Sequence, residues 1–124
     1  MAELLFKEES YKLIGICMEV HRNLGMGFKE VIYKDALEYE FRKNNIAFIR
    51  EQKFEILYKG FVLQHCYYAD FIIFNSIVLE VKASSMIVNN FVTQTINYLK
   101  ASDLRLGIIA NFGQYSFVSK RIAF

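Results

Sequence analysis

Two carboxylates and a lysine stand inside one of the most hydrophobic parts of this chain. Asp70 lies in the segment YYADFIIF, and Glu80 and Lys82 lie in the segment IVLEVKA. Side chains two positions apart on a strand leave the same face, and a short hairpin after Asp70 would bring its carboxylate alongside Glu80. Neighbouring carboxylates repel each other unless a cation neutralises them, and Mg²⁺ accepts one or two carboxylates while keeping several waters. A lysine beside such a metal can hold or deprotonate an attacking water, so the pattern predicts metal-dependent hydrolysis.

A plainer interpretation exists for Glu80 and Lys82 alone. They could form an ion pair on a strand edge, because burying either charge without a partner costs several kcal/mol. Asp70 favours the site instead, since aspartate has a low strand propensity and nothing in its own segment accounts for it.

Two helix segments carry polar residues at the border of an apolar face. Glu30 lies within GFKEVIY, with Tyr33 on the same side of the predicted helix. Gln94 lies at the margin of the apolar stripe of a later helix, with Tyr98 one turn further on. If both helices pack on the sheet near the two strand carboxylates, we expect these groups to join the same site.

The spacing of apolar residues predicts three helices and five strands. Helical periodicity covers about Lys7 to Leu24 and Phe28 to Asn44, and it returns in NNFVTQTINYLKAS. Strand patterns occupy QKFEILYKG, FVLQHCYYADFIIF, SIVLEVKA, LRLGIIANFG and YSFVSKRIAF. The middle strands are apolar at nearly every position, so both faces of the sheet should be covered. The order α-α-β-β-β-α-β-β predicts one α/β domain over 1–124, with a central mixed sheet flanked by helices.

The chemistry restricts the turn between the two strands that carry the carboxylates. A two-residue loop at Asn75 and Ser76 would set Asp70 opposite Val81, so that Asp70 would face away from Glu80. We therefore predict either a three-residue turn, Phe74-Asn75-Ser76, or a β-bulge between Asp70 and the turn.

The bulk composition limits the class of protein. The chain is 54% hydrophobic with a net charge of +2, which argues against disorder and permits a polyanionic partner. No apolar run approaches the roughly 20 residues that span a bilayer. Cys17 and Cys66 show no metal-ligand spacing and predict buried, reduced thiols. We expect a soluble, cytoplasmic protein that does not associate with membranes.

The two histidines have different expected positions. His65 lies five residues before Asp70 on one strand, so its side chain leaves the opposite face and is interpreted as structural. His21 lies on the first helix, close to the Gly25–Gly27 turn. Helix packing is its default role, and contact with the rim of the site is the alternative.

The ordered set of polar residues resembles a known superfamily. Gly27-x-x-Glu30, Asp70, Glu80-x-Lys82 and Gln94-x-x-x-Tyr98 are similar to the motifs of the PD-(D/E)xK nucleases, in their RecB-like branch. The segment GFKEVIY also resembles the Gly-x-x-Glu-x-x-Tyr signature of the small GxxExxY protein family, as do VHRNLGMGFKEVIYKDAL, INYLKAS, LGIIANFG and KRI. The resemblance runs from about Glu19 to Ile122. One departure is Met26, where relatives often have proline, which affects the stiffness of the loop.

That resemblance implies a restriction-endonuclease-like core and Mg²⁺-dependent cleavage of phosphodiester bonds, with Mn²⁺ as an alternative cofactor. It implies that Asp70, Glu80 and the Val81 carbonyl are metal ligands, and that Glu30 binds a second metal or a metal-bound water. Lys82 would orient or activate the water and stabilise the charge of the transition state. Gln94 and Tyr98 would position the substrate or Lys82, and Gly27 and Tyr33 are the other expected substrate-binding positions.

Three functions compete at this stage. The first is a metal-dependent nuclease, with DNA favoured over RNA and little sequence specificity, because the basic residues are scattered (Lys100, Arg105, Lys120 and Arg121). Specificity would then come from a partner protein or a second subunit. The second is a nucleic-acid- or protein-binding module without turnover, and the third is a metal-dependent phosphohydrolase of a small nucleotide.

Overall fold

The computed structural model describes residues 6–124 as eight elements in the predicted order. The helices are α1 (Lys7–Leu24), α2 (Glu30–Lys43) and α3 (Asn89–Ser102). The strands are β1 (Phe48–Tyr58), β2 (Phe61–Ile73), β3 (Ile77–Lys82), β4 (Leu106–Asn111) and β5 (Val118–Ala123). Residues 1–5 of the predicted domain lie outside the described residues. None of the helices in the described part of the chain has the length and apolar character needed to cross a membrane.

The five strands form one mixed sheet in the order β1-β2-β3-β4-β5. Three neighbouring pairs are antiparallel, and β3 pairs in parallel with β4. A parallel pair needs a crossover connection, and α3 supplies it between β3 and β4. The predicted α/β class and the flanked mixed sheet are confirmed.

Helices cover the sheet on both faces, as the continuous apolar strands predicted. On one face, α1 and α2 pack through Leu13 and Leu37 against a cluster that includes Phe71 and Leu79. On the other face, α3 packs through Leu99 against a second cluster from the same strands. The middle of the sheet is therefore buried on both sides, and a charged group placed there needs a specific partner.

The two cysteine thiols differ in burial. Cys17 is buried in the cluster under α1, and burial raises the pKa of its thiol to about 12. Cys66 is also free but only half-buried, so the prediction of a buried thiol is correct for Cys17 and wrong for Cys66.

The second helix starts two residues later than predicted. Gly25 and Gly27 have φ values of 68° and 112° and hold a loop that continues through Phe28. The Tyr33 hydroxyl fixes this loop, because it donates to the Gly25 carbonyl at 2.6 Å and accepts from the Phe28 N–H at 3.3 Å. The helix begins only at Glu30, after Lys29 in extended conformation.

The turn between β2 and β3 has the three residues that the chemistry requires. Ile73 pairs with Ile77, so Phe74, Asn75 and Ser76 form the loop. Phe74 and Asn75 both have φ of 55°, the left-handed conformation expected for Asn75. This confirms the predicted three-residue turn, and continuing the register sets Asp70 opposite Glu80.

In β1 and β2, the side chains that point to a given face of the sheet switch from one alternate set of residues to the other near Asp70. Residues two apart on a regular strand share a face, yet Ala69 packs in the α3 cluster and Phe71 in the cluster under α1 and α2. On β1, Phe48 and Phe54 are divided in the same way. Glu51, whose φ is 57°, lies at the change on β1. Asp70 therefore sits at an irregular position of the sheet, which the sequence did not indicate.

Candidate active site

Two carboxylates take the place of backbone pairing where β2 leaves β3. The ladder between these strands ends at the Phe71–Leu79 pair. Beyond it, the Asp70 N–H donates to Glu80 Oε2 at 2.9 Å, and the Val81 N–H donates to Asp70 Oδ2 at 2.8 Å. Each carboxylate thus accepts a hydrogen bond from the backbone of the other strand. This reciprocal arrangement holds both side chains in one gap of the sheet.

The gap is an unfavourable place for a second negative charge. Glu80 is buried there, with only 2% of the residue exposed to solvent. Burial, and then the neighbouring charge of Asp70, raise the pKa of Glu80 from 4.5 to about 8. Without a cation, Glu80 therefore holds a proton over much of the neutral range.

Lys82 contacts α3 rather than the neighbouring glutamate. Its ammonium donates to Gln94 Oε1 at 2.8 Å and lies 4.7 Å from the centroid of the Phe91 ring. Within the described residues, Lys82 forms no salt bridge with Glu80, so the plain ion pair on a strand edge is not what forms. Gln94 thus contacts Lys82 directly, and its role in positioning Lys82 or substrate stays a prediction.

Tyr98 on α3 lies near the two carboxylates. Its ring is buried and meets the Tyr67 ring edge-on at a centroid distance of 5.3 Å. Burial, followed by the charges of Glu80 and Asp70, raises the pKa of the Tyr98 hydroxyl above its ordinary value. The hydroxyl is therefore in electrostatic reach of both carboxylates and stays protonated.

A second lysine, which the sequence analysis missed, reaches the site from α2. Lys34 Nζ lies 2.8 Å from Glu51 Oε1 and 3.3 Å from Asp70 Oδ1. Burial lowers its pKa, but the hydrogen bond to Glu51 and the charge of Asp70 outweigh burial, and the pKa of Lys34 rises overall. The one signal in the sequence is spacing, because Lys34 follows Glu30 by one helical turn.

Glu30 lies outside this arrangement. It is an exposed residue in the first turn of α2. Among residues 6–124, no three His, Cys, Asp or Glu side chains come together in a group that could hold a metal. The predicted combination of Glu30 with Asp70 and Glu80 is therefore not assembled. On α2 it is Lys34, one turn after Glu30, whose side chain reaches Asp70.

The two other positions expected to bind substrate have different environments. Gly27 is exposed in its loop with open space around its Cα. Tyr33 is completely buried and stacks on Phe112 at a centroid distance of 4.7 Å. Direct substrate contact by Tyr33 is therefore wrong, because its hydroxyl is used to hold the loop.

The histidines do not join the carboxylates. His21 is buried, its Nε2 lies 2.9 Å from the Gln114 carbonyl oxygen, and its ring lies beside those of Phe112 and Phe117. This confirms helix packing as its role. His65 is exposed on the outer part of β2.

The donor set fits a small divalent cation. The two backbone hydrogen bonds use one oxygen of each carboxylate and leave Glu80 Oε1 and Asp70 Oδ1, the second of which also accepts from Lys34 at 3.3 Å. Two carboxylate oxygens match the preference of Mg²⁺ for few protein ligands. Val81 is buried next to both, and a ligand role for its carbonyl stays a prediction.

The comparisons with known proteins agree with this geometry. A family profile of the PD-(D/E)XK nuclease superfamily matches residues 7–122. The chain belongs to this superfamily. Its fold is also similar to the crystal structure of SSO0001, with a TM-score of 0.61 and 25% sequence identity over 76% of this chain. The chain spans half of the length of that protein. No curated protein matches the sequence.

Proposed function

We propose that this PD-(D/E)XK chain is a metal-dependent nuclease that hydrolyses phosphodiester bonds. The observation that carries the proposal is the gap between β2 and β3, where each of the Asp70 and Glu80 carboxylates accepts a backbone N–H from the opposite strand and Lys82 follows Glu80 by two positions. A carboxylate whose pKa is strongly raised by burial and by a neighbouring second carboxylate is typical of functional sites.

Asp70, Glu80 and the Val81 carbonyl would hold Mg²⁺, or Mn²⁺ in its place. The cation would act as a Lewis acid on the phosphoryl group. Loss of the Glu80 proton accompanies binding, because the carboxylate must be charged to be a ligand. Glu30 would not be a metal ligand here. From the exposed start of α2 it would be available to contact substrate.

Lys82 would hold the attacking water and stabilise the negative charge that develops on the phosphate. Gln94 keeps the ammonium on the α3 side of the gap through its 2.8 Å hydrogen bond. Tyr98 stays a neutral donor near the carboxylates, which suits contact with a phosphate oxygen. All of these groups come from β2, β3 and α3, so they are positioned by the buried sheet.

We infer that DNA is the preferred substrate and that binding has little sequence specificity. A chain of 124 residues with a net charge of +2 has few groups left for reading bases. Specificity would come from a partner protein or from a second copy of the chain. We also assign the chain to the GxxExxY family of the RecB-like branch, and to the cytoplasm, where it would meet nucleic acid.

Cleavage of labelled single- and double-stranded DNA and RNA, with Mg²⁺ or Mn²⁺ and with EDTA, tests the activity. We expect Lys82→Ala to lower the rate at least about 100-fold, the loss typical of removing a group that stabilises transition-state charge. Lys12→Ala, which removes an exposed lysine of α1, is the control and should keep the wild-type rate. Activity that survives in Lys82→Ala would refute the assignment of this site.

Metal binding has a separate test. We expect Mg²⁺ to raise the melting temperature of the wild type by linkage and to do so much less in Asp70→Asn. Asp103→Asn, which removes an exposed carboxylate after α3, is the control. Equal shifts in Asp70→Asn and the wild type would place the cation elsewhere.

A further inference from the structure

A lysine already lies at the carboxylate oxygen that a metal would need. Asp70 uses Oδ2 to accept from the Val81 N–H, which leaves Oδ1. Lys34 Nζ lies 3.3 Å from this Oδ1, and both side chains are only 16% exposed. The ammonium therefore neutralises Asp70 at the oxygen where a cation would bind.

Glu51 holds the same ammonium from the other side. Its Oε1 lies 2.8 Å from Lys34 Nζ, closer than Asp70 Oδ1. Glu51 falls between the paired residues Arg50 and Gln52, at the point of β1 that faces Asp70 across the ladder. Its left-handed backbone, unusual for glutamate within a strand, places it at the change of face.

We propose that Lys34 is a positioning residue that occupies the cation position at Asp70 in the metal-free protein and must leave it before a divalent metal binds there. This inference rests on the proposed metal site. Mg²⁺ approaches its ligand oxygens to about 2.0–2.1 Å, and an ammonium on the same oxygen would be repelled by the metal. Lys34 then retains Glu51 as its partner, so the lysine shifts without losing its ion pair. The metal affinity of the site is set by this exchange.

Calorimetric titration with Mn²⁺ provides the direct test. We expect Lys34→Met to bind Mn²⁺ about tenfold more tightly than the wild type, because no ammonium competes for Asp70. We expect the same variant to melt at a lower temperature in EDTA, since Asp70 has lost its partner. A purely structural role for Lys34 would lower the stability with and without metal and would not tighten binding.

A matched control separates direct competition from a change in overall charge. Lys53→Met removes the same charge from an exposed position of β1, and its Mn²⁺ affinity should stay within about twofold of wild type because screening weakens the effect of an exposed charge. The proposal would be overturned if Lys34→Met bound Mn²⁺ no more tightly than Lys53→Met does, or more weakly than the wild type does.

A crystal structure of the wild type with Mn²⁺ tests the same exchange without a variant. We expect Lys34 Nζ to leave Asp70 Oδ1 and to remain in hydrogen-bond contact with Glu51. Retention of the Asp70 contact beside a bound metal would refute the exchange. Mn²⁺ binding that depends on Asp70 but is equal in wild type and Lys34→Met would overturn this inference alone. If Asp70→Asn does not abolish Mn²⁺ binding, or if no Mn²⁺ binding is found, the proposed function fails as well.

Discussion

At the scale of single residues, the site places two carboxylates where the fold would otherwise have backbone pairing. Asp70 and Glu80 replace backbone hydrogen bonds between two strands with hydrogen bonds from side chains. The arrangement satisfies the N–H groups but brings two acidic groups together in a buried gap. The structure neutralises them with a proton on Glu80 and with the ammonium of Lys34. A metal would replace both of these neutralising charges.

The pKa of Glu80 gives a prediction about stability and pH. The pKa is about 8 in the folded protein against an ordinary value of 4.5, so the folded state binds the proton more tightly than the unfolded state. The stabilisation is complete below about pH 4.5 and is lost as the pH rises through about 8. Glu80→Gln keeps an acceptor for the Asp70 N–H and does not titrate. We therefore expect this variant, in EDTA, to melt roughly 5–10 °C above wild type at pH 8 and within about 2 °C of it at pH 5.

Glu55→Gln is the control for that experiment, because Glu55 is an exposed carboxylate on β1. Its melting temperature should follow that of the wild type at both pH values. If Glu80→Gln differed from wild type by the same amount at pH 5 and at pH 8, the raised pKa would be wrong.

At the scale of elements, the sequence determined the order and the register but not every orientation. Alternating and helical periodicity gave all eight elements, and the need to place Asp70 beside Glu80 gave the three-residue turn. The sequence could not reveal that Glu51 has a left-handed backbone. Positive φ is uncommon for residues other than glycine, and a glutamate in a strand pattern gives no sign of it. The contact between Lys34 and Asp70 was missed for the same reason, since it joins α2 to that irregular region.

The loop after Lys82 depends on close packing between two elements. Asn111, at the end of β4, accepts from the Ser84 N–H at 3.0 Å and donates to the Ser84 carbonyl at 2.9 Å. A Cβ added to Gly113 would overlap the backbone of Ser84 and Ala83. Because this loop follows Lys82 directly, its displacement should disturb both the fold and the site.

We therefore expect Gly113→Ala to lower the free energy of unfolding by about 2–4 kcal/mol, as backbone overlap in a packed region does. Gly15→Ala is the matched substitution, because a Cβ on Gly15 meets no atom within 4 Å in the interior of α1. It should raise stability by about 0.5–1 kcal/mol through helix propensity. Urea unfolding of both variants measures the difference, and similar values for the two would contradict the packing argument.

At the scale of the whole molecule, the site lies where both layers of helices reach the sheet. From one face α2 contributes Lys34, and from the other α3 contributes Gln94 and Tyr98. The gap between β2 and β3 admits groups from both faces because the ladder ends at the Phe71–Leu79 pair. The whole domain must therefore be folded before the site is complete.

The weak positive charge of the molecule gives a prediction for the proposed binding of nucleic acid. With a net charge of +2 and scattered basic residues, we expect about two or three phosphate contacts. The affinity for a DNA duplex should then fall about 10- to 40-fold between 50 and 200 mM salt, and to the same degree for duplexes of unrelated sequence. Fluorescence anisotropy with EDTA present measures binding without cleavage. Tight binding to one sequence that does not respond to salt would show that the protein reads bases directly.

The three-residue turn between β2 and β3 also constrains how such a sequence can evolve. Asp70 stays opposite Glu80 only while Ile73 stays paired with Ile77, and a slip of one strand by a single position would turn the Asp70 side chain away from Glu80. A change in the length of the turn is harmless where the loop absorbs it and this pairing persists. Variation in the turn should therefore survive selection only where it leaves the register intact, so that a surface loop is free in length but not in the pairing that it closes.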